Sequence, residues 1–556
     1  MTQFEVSHLN FAYSTNDLEV LHEVSFSVQK GEFLAVCGKS GCGKTTLLKL
    51  LKPEIAPKGT KTGKISYCGS SITELLDLRV TASEIGFVGQ NPDYQIVTHT
   101  AQAELCFALE NLGFDSNIIA LRIAEISAYF SMNAWLNTNV NELSGGQKQL
   151  LSLASVLVLY PKVLILDEPT SQLDPMASEI FIDTIRKINH DLGISIIITE
   201  HRLENILPIC DNVLLLHEGK KIYHGKVQDI FKSGEDLSFF TPSLPTPMRV
   251  FSKLNQTDFC PITISEGKLW LENLINKPKS TQIKPKISKM QKEIIQVKNL
   301  FFKYETSNTN VLKGLNLSVK QNTIHAILGS NAVGKTTLLK LITGLIKPTS
   351  GKIKIDGKNI KKLSDIELYN NLISVMPQKI ETMFSEETVY LQLMSQLENT
   401  KLNQTQKEEK ISEISNLLGL NKLHNHHPYD ISGGQMQKLG LALVLLQNPK
   451  IIVLDEPTKG MDAEFKIKLA KIFETLKEKG ITIVLISHDT EFCASYCDEC
   501  SLMFDGKIAV YENSKKFFAN NFFFTTRARK MSREVFENAI TCEEVIALCK
   551  ENLHTS

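Results

Sequence analysis

The stretch GKSGCGKTTLLKLL fills residues 38–51, and GSNAVGKTTLLKLI fills residues 329–342. Each follows an apolar run, FLAVC or IHAIL, and each contains the pattern GxxxxGK[ST]. The pattern has a physical reason. Glycines let backbone N–H groups close around phosphate oxygens, Lys44 and Lys335 neutralise the β- and γ-phosphates, and Thr45 and Thr336 can ligate Mg²⁺. The helix that follows begins with the positive end of its dipole at the same phosphates. One such loop between a strand and a helix is a moderate signal for nucleotide binding. Two in one chain are a strong one.

Other motifs recur in the same order: LSGGQKQ and ISGGQMQ, VLILDEPT and IIVLDEPT, ITEH and LISH. The offset between copies is 291 for Lys44 and Lys335, 288 for Ser144 and Ser432, 288 for Asp167 and Asp455, and 287 for His201 and His488. A near-constant offset marks a duplicated domain. The expected boundaries are 1–232 for the first domain, 233–292 for a linker, 293–525 for the second domain and 526–556 for a C-terminal helical tail. PSLPTPMRVF and NKPKSTQIKPKISK have the proline and lysine content of a linker, whereas GKLWLENLI between them is apolar enough to pack. Within each copy, continuous apolar strands alternate with helices, which predicts a buried, largely parallel sheet. A mostly helical region is predicted from Gln102 to Tyr160.

The chain has 556 residues, 42% of them hydrophobic and 22% charged, as in ordinary globular proteins. Lys+Arg and Asp+Glu both number 61. That balance gives no support to a nucleic-acid-binding surface. No apolar run reaches the ~18 residues of a membrane span, and the first ten residues lack a signal layout, so a cytosolic protein or one docked on a membrane from the cytosol is expected. Eleven scattered cysteines do not read as a disulfide framework. Cys493, Cys497 and Cys500 are spaced for an amphipathic helix running into a strand rather than for a zinc site.

LILDE and IVLDE supply the second half of nucleotide chemistry. A buried strand delivers Asp167 or Asp455 to the Mg²⁺ shell. The next residue, Glu168 or Glu456, is placed to polarise the attacking water. His201 and His488 each end a later apolar strand and are expected to contact a γ-phosphate or orient the water. Ser144 and Ser432 stand at expected helix starts beside two glycines, which makes a second anion site. It can reach a phosphate only if another domain presents one. The two domains are therefore expected to pair within the chain, with ATP between the phosphate loop of one and the SGGQ of the other.

Phosphate loop, LSGGQ, LDEPT and a later histidine, in that order, resemble the ATPase domain of ABC transporters over about 230 residues of each half. The resemblance implies an α/β fold of two tandem P-loop NTPase domains, each with a helical subdomain, and an ATPase coupled to transport. It implies that Tyr13 and Tyr304 stack on adenine. ATP would be held by Gly38, Lys39, Ser40, Gly41, Cys42, Gly43, Lys44, Thr45, Thr46, Gln90, Ser144, Gly145, Gly146 and Gln147. In the second half the same part falls to Gly329, Ser330, Asn331, Ala332, Val333, Gly334, Lys335, Thr336, Thr337, Gln378, Ser432, Gly433, Gly434 and Gln435. Gln90 and Gln378 would stand near Mg²⁺ with Thr45, Asp167, Thr336 and Asp455. SQLD (171–174) and KGMD (459–462) would be the loops coupling the two sites. Ala332 departs from the usual glycine, and Leu150 and Lys438 from the usual arginine of the signature helix. Cys42, near a helix N-terminus, is expected to have a lowered thiol pKa and to react with alkylators.

QNPDYQIVTHTAQAELCFALENLG, from Gln90 to Gly113, closely resembles the energy-coupling-factor class of ABC importers. That likeness implies vitamin or transition-metal uptake, a transmembrane coupling subunit, a small substrate-binding membrane subunit, and a peripheral place on the cytoplasmic face of the membrane. The alternative is a soluble tandem ABC ATPase acting on ribosomes or DNA. The second half keeps Gln378 but reads PQKIETMF, without the NPDxQ pattern, so the two halves are expected to hold different parts of a membrane partner.

Overall fold

Several short runs in each half are apolar at every position, and they fold as strands buried on both faces. The computed structural model describes residues 1–14, 19–72, 78–254, 259–275, 292–305, 309–369, 372–398, 400 and 402–553. The lysine- and proline-rich stretch 276–289 lies outside the described residues. The chain separates into two units, Met1–Trp270 and Leu271–Ser556.

In the first unit the strands are β1 (Thr2–Tyr13), β2 (Glu19–Gln29), β3 (Phe33–Cys37), β4 (Gly59–Tyr67), β5 (Ser70–Ser71), β6 (Ile85–Val88), β7 (Val163–Asp167), β8 (Ser195–Thr199), β9 (Asn212–His217) and β10 (Lys220–Gly225). In the order β9-β3-β8-β7-β6 they run parallel. Strand β3 sends Phe33, Ala35 and Cys37 into one core and Leu34 and Val36 into another on the opposite face. Burial on both faces is why these strands are apolar without alternation. The second unit repeats the plan with β11 (Glu293–Phe302), β12 (Leu312–Lys320), β13 (Ile324–Leu328), β14 (Ser350–Ile355), β15 (Lys358–Asn359), β16 (Ile373–Met376), β17 (Ile451–Asp455), β18 (Thr482–Ile486), β19 (Glu499–Phe504) and β20 (Lys507–Asn513). Its parallel set is β16-β17-β18-β13-β19. In both units the phosphate loop, Gln90 or Gln378, the Asp-Glu pair and the histidine all lie at carboxyl ends of these strands. One sheet edge therefore collects them, as ligand sites collect in open α/β sheets.

A second sheet region was not foreseen. Strands β1, β2 and β4 pair antiparallel in the first unit, as do β11, β12 and β14 in the second. The alternation that would announce them is interrupted: the β1–β2 register shifts between Val6 and Leu9, and His8 and Glu23 take φ of 48°. A bulge of that kind reverses which side chains face inward and hides the period of two.

The predicted helical region holds helices Ala101–Asn111, Ser116–Tyr129 and Gly145–Leu157, matched in the second unit by Val389–Ser395, Gln404–Leu418 and Gly433–Leu446. Downstream of residue 232, Leu237, Phe240, Leu244, Met248, Phe251, Cys260 and Ile262 join the first unit's core, with Trp270 5.8 Å from Phe251. The C-terminal tail forms helices Arg527–Ser532 and Cys542–Leu553. They are tied down by Thr526 Oγ1 donating to the Ile540 carbonyl at 2.6 Å and by Arg529 donating to the Phe536 carbonyl at 2.9 Å. Cys493, Cys497 and Cys500 are buried in the second unit's core. No described helix is long and apolar enough to cross a membrane.

Ile165 sits at the centre of β7 with 0% exposure. Replacing it by Ala should cost about 2–5 kcal/mol through lost transfer energy and the cavity left behind. The check is a lower unfolding midpoint by calorimetry. An unchanged midpoint would mean this strand is not the buried centre of the sheet.

Candidate active site

Where β3 ends, the chain must turn tightly into the helix Lys44–Leu50. Gly38 makes the turn possible: its φ is +150°, and a Cβ there would lie 2.4 Å from the Leu216 carbonyl oxygen and 2.6 Å from Cys42 Sγ. Gly329 repeats this, with a Cβ falling 2.5 Å from the Met503 carbonyl. Lys44 Nζ donates to the carbonyls of Gly38 and Lys39 at 2.9 and 3.0 Å. Lys335 does the same to Gly329 and Ser330 at 2.9 and 2.8 Å. Each lysine thus closes its own loop and stands at the loop's mouth. Ala332, the departure from glycine, takes φ 61°, a left-handed conformation that costs a side-chain-bearing residue roughly 1–2 kcal/mol.

Thr45 Oγ1 donates to Asp167 Oδ1 at 3.2 Å, and Thr336 Oγ1 to Asp455 Oδ2 at 2.7 Å. The two candidate Mg²⁺ ligands of each unit are therefore adjacent, and both are hard oxygen donors of the kind Mg²⁺ takes. Burial lifts the pKa of both aspartates; their hydroxyl partners, Thr199 and Thr45 or Thr336, work against it. A divalent cation would relieve that burial penalty.

The units differ at the following glutamate. Glu168 lies at φ 47° and Glu456 at φ 55°. Glu168 Oε1 is 2.8 Å from His201 Nε2, and its Oε2 accepts from Gln90 Nε2 at 3.1 Å. Burial pushes this carboxyl up, but the bond to and charge of His201, with the charge of Lys44, more than offset it, and its pKa is lowered. Glu456 is pushed up to about 7, by burial first and the charge of Asp455 second. Its Oε1 is buried without a hydrogen-bond partner, 3.4 Å from His488 Nε2. His488 Nε2 instead lies 3.1 Å from Asn331 Oδ1 and 3.4 Å from Lys335 Nζ. Gln378 is exposed beyond β16.

Ser144 and Ser432 are N-caps, as their position in sequence predicts. Each accepts from the backbone N–H of Gln147 or Gln435, at 3.3 and 3.4 Å, and each of those glutamines accepts back from the serine N–H at 2.8 Å. Such a capping box fixes the first turn. Added Cβ atoms on Gly145 and Gly433 would meet nothing within 4 Å, so this helix start is open to approach. Tyr13 and Tyr304 stand beside the phosphate loop's helix, their hydroxyls 2.8 and 3.0 Å from Thr46 and Thr337.

The stretch after Gln90 is a built turn. Asn91 accepts from the Asp93 N–H at 3.0 Å and caps the helix Pro92–Gln95. Gln95 folds back, accepting from the Gly89 N–H at 2.9 Å and donating to the Phe87 carbonyl at 3.1 Å. Asp93 pairs with Lys148 of the signature helix at 2.6 Å. The position matching Lys148 in the second unit is Met436. Tyr94 is 81% exposed, Val97 61% and Phe107 47%.

Cys42 corrects an expectation. It is buried against the loop, and desolvation raises its thiol pKa in spite of Lys44. A helix of seven residues with the sulfur turned inward does not outweigh burial. Three residues were missed from sequence. Thr199 Oγ1 donates to Asp167 Oδ1 at 2.7 Å and accepts from the Glu168 N–H at 3.0 Å. Glu200 Oε1 accepts from the Thr170 N–H at 2.8 Å, and burial pushes its carboxyl up to about 7. Lys148 is the third. The signal for Thr199 and Glu200 was the difference between ITEH and LISH, and for Lys148 that between LSGGQKQ and ISGGQMQ.

The profile of the family described as "ABC transporter" matches residues 21–171 and 312–459. A Bacillus anthracis protein, provisionally named an ABC transporter ATP-binding protein, is 38% identical over 550 residues, covering 99% of this chain and 98% of that one. A Bacillus subtilis protein provisionally named HMP/thiamine import ATP-binding protein YkoD is 30% identical over 545 residues, covering 97% of each. Among solved structures, an archaeal ribosome recycling factor, aABCE1, solved in complex with the ribosomal stalk protein aP1, aligns with TM-score 0.58 at 21% identity, covering 92% of this chain and 91% of that one. Clostridium perfringens cbiO1, part of the ABC transporter complex cbiONQ, is 29% identical with TM-score 0.38, covering 44% of this chain and 94% of that one.

In native protein, iodoacetamide at neutral pH should label exposed Cys68 well before buried Cys42, read by peptide mass spectrometry. Faster labelling at Cys42 would overturn the burial assignment.

Proposed function

The chain belongs to the ABC transporter family, as a two-domain ATP-hydrolysing protein, and from that membership we propose that it is the motor subunit of an energy-coupling-factor-like importer. Proteins of this kind generally work with membrane subunits. The reading proposed here is vitamin or transition-metal uptake, driven from the cytoplasmic face of the membrane through a transmembrane coupling subunit and a small substrate-binding membrane subunit.

One observation carries the proposal. The turn Gln90–Gln95 presents Tyr94 to solvent while Gln90 bonds Glu168 and Asp93 bonds the signature helix. An exposed aromatic turn wired to the hydrolytic glutamate suits a coupling surface better than a solvated loop. The full-length relative named for thiamine import supports the same class. The likeness to the ribosome recycling factor, at 21% identity, is one of fold.

In the proposed mechanism, ATP binds with its phosphates in each phosphate loop, contacted by Lys44 or Lys335. The capped helix start at Ser144 or Ser432 offers a second anion site in each unit. Glu168 and Glu456 polarise the attacking water, and His201 and His488 hold that geometry at the γ-phosphate. Thr45 and Asp167, or Thr336 and Asp455, with Gln90 or Gln378, would hold Mg²⁺, which would supply neutralisation of charge on the phosphates. Closure around two ATPs and opening after hydrolysis pass motion to the membrane partner.

Glu168→Gln combined with Glu456→Gln should bind ATP normally and lose turnover by about 10²–10⁴-fold, the range for a positioned general base. Near-normal hydrolysis would remove these carboxylates from the role. For the importer reading, the tagged chain should fractionate with membranes and co-purify with two integral membrane proteins. Tyr94→Glu should release it. Co-sedimentation with ribosomes in place of membranes would overturn the proposal.

A further inference from the structure

Both units carry the same Asp-Glu turn, yet only the first surrounds it with a side-chain brace. Thr199, at the end of β8, sits between the two acidic residues of the turn: its hydroxyl donates to Asp167 at 2.7 Å and accepts the Glu168 N–H at 3.0 Å. The next residue, Glu200, is 6% exposed and reaches over to the Thr170 N–H at 2.8 Å. Glu168 is in the left-handed region, φ 47°, a conformation that persists where its surroundings over-determine it. Two of these contacts hold backbone N–H groups, those of the strained residue itself and of Thr170, and the third holds the Asp167 side chain before it. Its carboxylate is met on both oxygens by His201 and Gln90.

In the second unit Ile486 stands where Thr199 stands, and Ser487 where Glu200 stands. The Glu456 N–H keeps its bond to the strand carbonyl of Ile486 at 3.0 Å. Ile486 has no hydroxyl to offer Asp455. Ser487 Oγ lies 3.4 Å from Thr458 Oγ1, at the position matching Thr170, and accepts the Asp489 N–H at 3.0 Å, so a neutral hydroxyl contact stands where Glu200 gives the first unit's turn a carboxylate acceptor. Glu456 is left with an oxygen that has no hydrogen-bond partner.

We propose that Thr199 and Glu200 are positioning residues of the first unit's ATP site, and that the two sites are unequal, the site built on Lys44 and Glu168 hydrolysing faster than the one built on Lys335 and Glu456. The proposal rests on the reading of Glu168 and Glu456 as the groups that polarise water. Thr199 and Glu200 act through the Asp-Glu turn, bonding Asp167, Glu168 and Thr170. Their effect falls on kcat and leaves ATP affinity in place, because these bonds go to the Asp-Glu turn and not to the phosphate loop.

The test uses the full chain with one site silenced at a time. With Glu456→Gln, the remaining first site should turn over about tenfold faster than the second site does with Glu168→Gln, the scale of one charge-assisted hydrogen bond. Adding Glu200→Ala to the Glu456→Gln chain should lower kcat by about the same factor at unchanged KM. Glu200→Gln, which keeps an acceptor oxygen for the Thr170 N–H, should restore most of it. The reciprocal change, Ile486→Thr with Ser487→Glu in the Glu168→Gln chain, should raise the second site's kcat. Equal rates at the two isolated sites would overturn the inequality. A Glu200→Ala variant with unchanged kcat, or one that Glu200→Gln does not rescue, would overturn the brace. Turnover surviving in the chain with both glutamates changed would instead defeat the underlying assignment of the glutamates.

Discussion

A carboxylate held at the end of a buried parallel strand, against the hydroxyl that opens the neighbouring helix, is the contact on which each half of this molecule depends. Asp167 and Thr45 make it in the first unit, Asp455 and Thr336 in the second. Placing an acid there is costly, since burial raises its pKa. The fold tolerates it because every neighbour is fixed. The strands are buried on both faces, the phosphate loop is pinned by a glycine where any Cβ would strike backbone, and the lysine closes the loop over its own carbonyls. The acid, the hydroxyl and the lysine converge because consecutive parallel strands deliver their carboxyl ends to one edge.

Much of this was legible in the sequence, for reasons that can be named. FLAVC, VLILD and SIIIT carry unbroken apolar stretches with polar residues only at their ends, a pattern that suits parallel strands with two covered faces, and all form strands. Ser144 and Ser432 carry a glutamine three residues on, which is the sequence form of a capping box, and both boxes form. The antiparallel layer escaped because its bulges break the alternation. Cys42 misled because proximity to a helix start says nothing of which way a sulfur points. Thr199 and Glu200 escaped for another reason. Their roles are set by partners 32 and 30 residues away in the chain, which no local pattern encodes.

The duplicated halves have diverged in a physically consistent direction. The first unit has Asp93 paired with Lys148, Gln90 bonded to Glu168, and a brace of two side chains on the Asp-Glu turn. The second has Met436 at the position of Lys148, and isoleucine and serine at the positions of the brace. These are changes to different interactions, yet all loosen the path between the turn after β16 and the glutamate after β17. What both units keep is the GxxxxGK[ST] pattern of the phosphate loop and the capped helix start, the candidate nucleotide-binding groups.

That division separates binding from transmission. Binding phosphates needs backbone N–H groups, a lysine and a helix dipole, and these are fixed by glycine geometry alone. Transmitting the state of the γ-phosphate needs a side-chain chain without gaps. In the first unit it runs from His201 through Glu168 to Gln90, whose carbonyl also receives Ser171 at 3.4 Å, and on through the capped turn to Asp93 and the signature helix. Of those links the second unit keeps the approach of histidine to glutamate, at 3.4 Å, and has Met436 in place of Lys148 and Lys459 in place of Ser171. The first unit's series thereby joins Glu168 to the exposed turn at Tyr94. In the second unit His488 Nε2 lies near Asn331 and Lys335, at that unit's own phosphate loop.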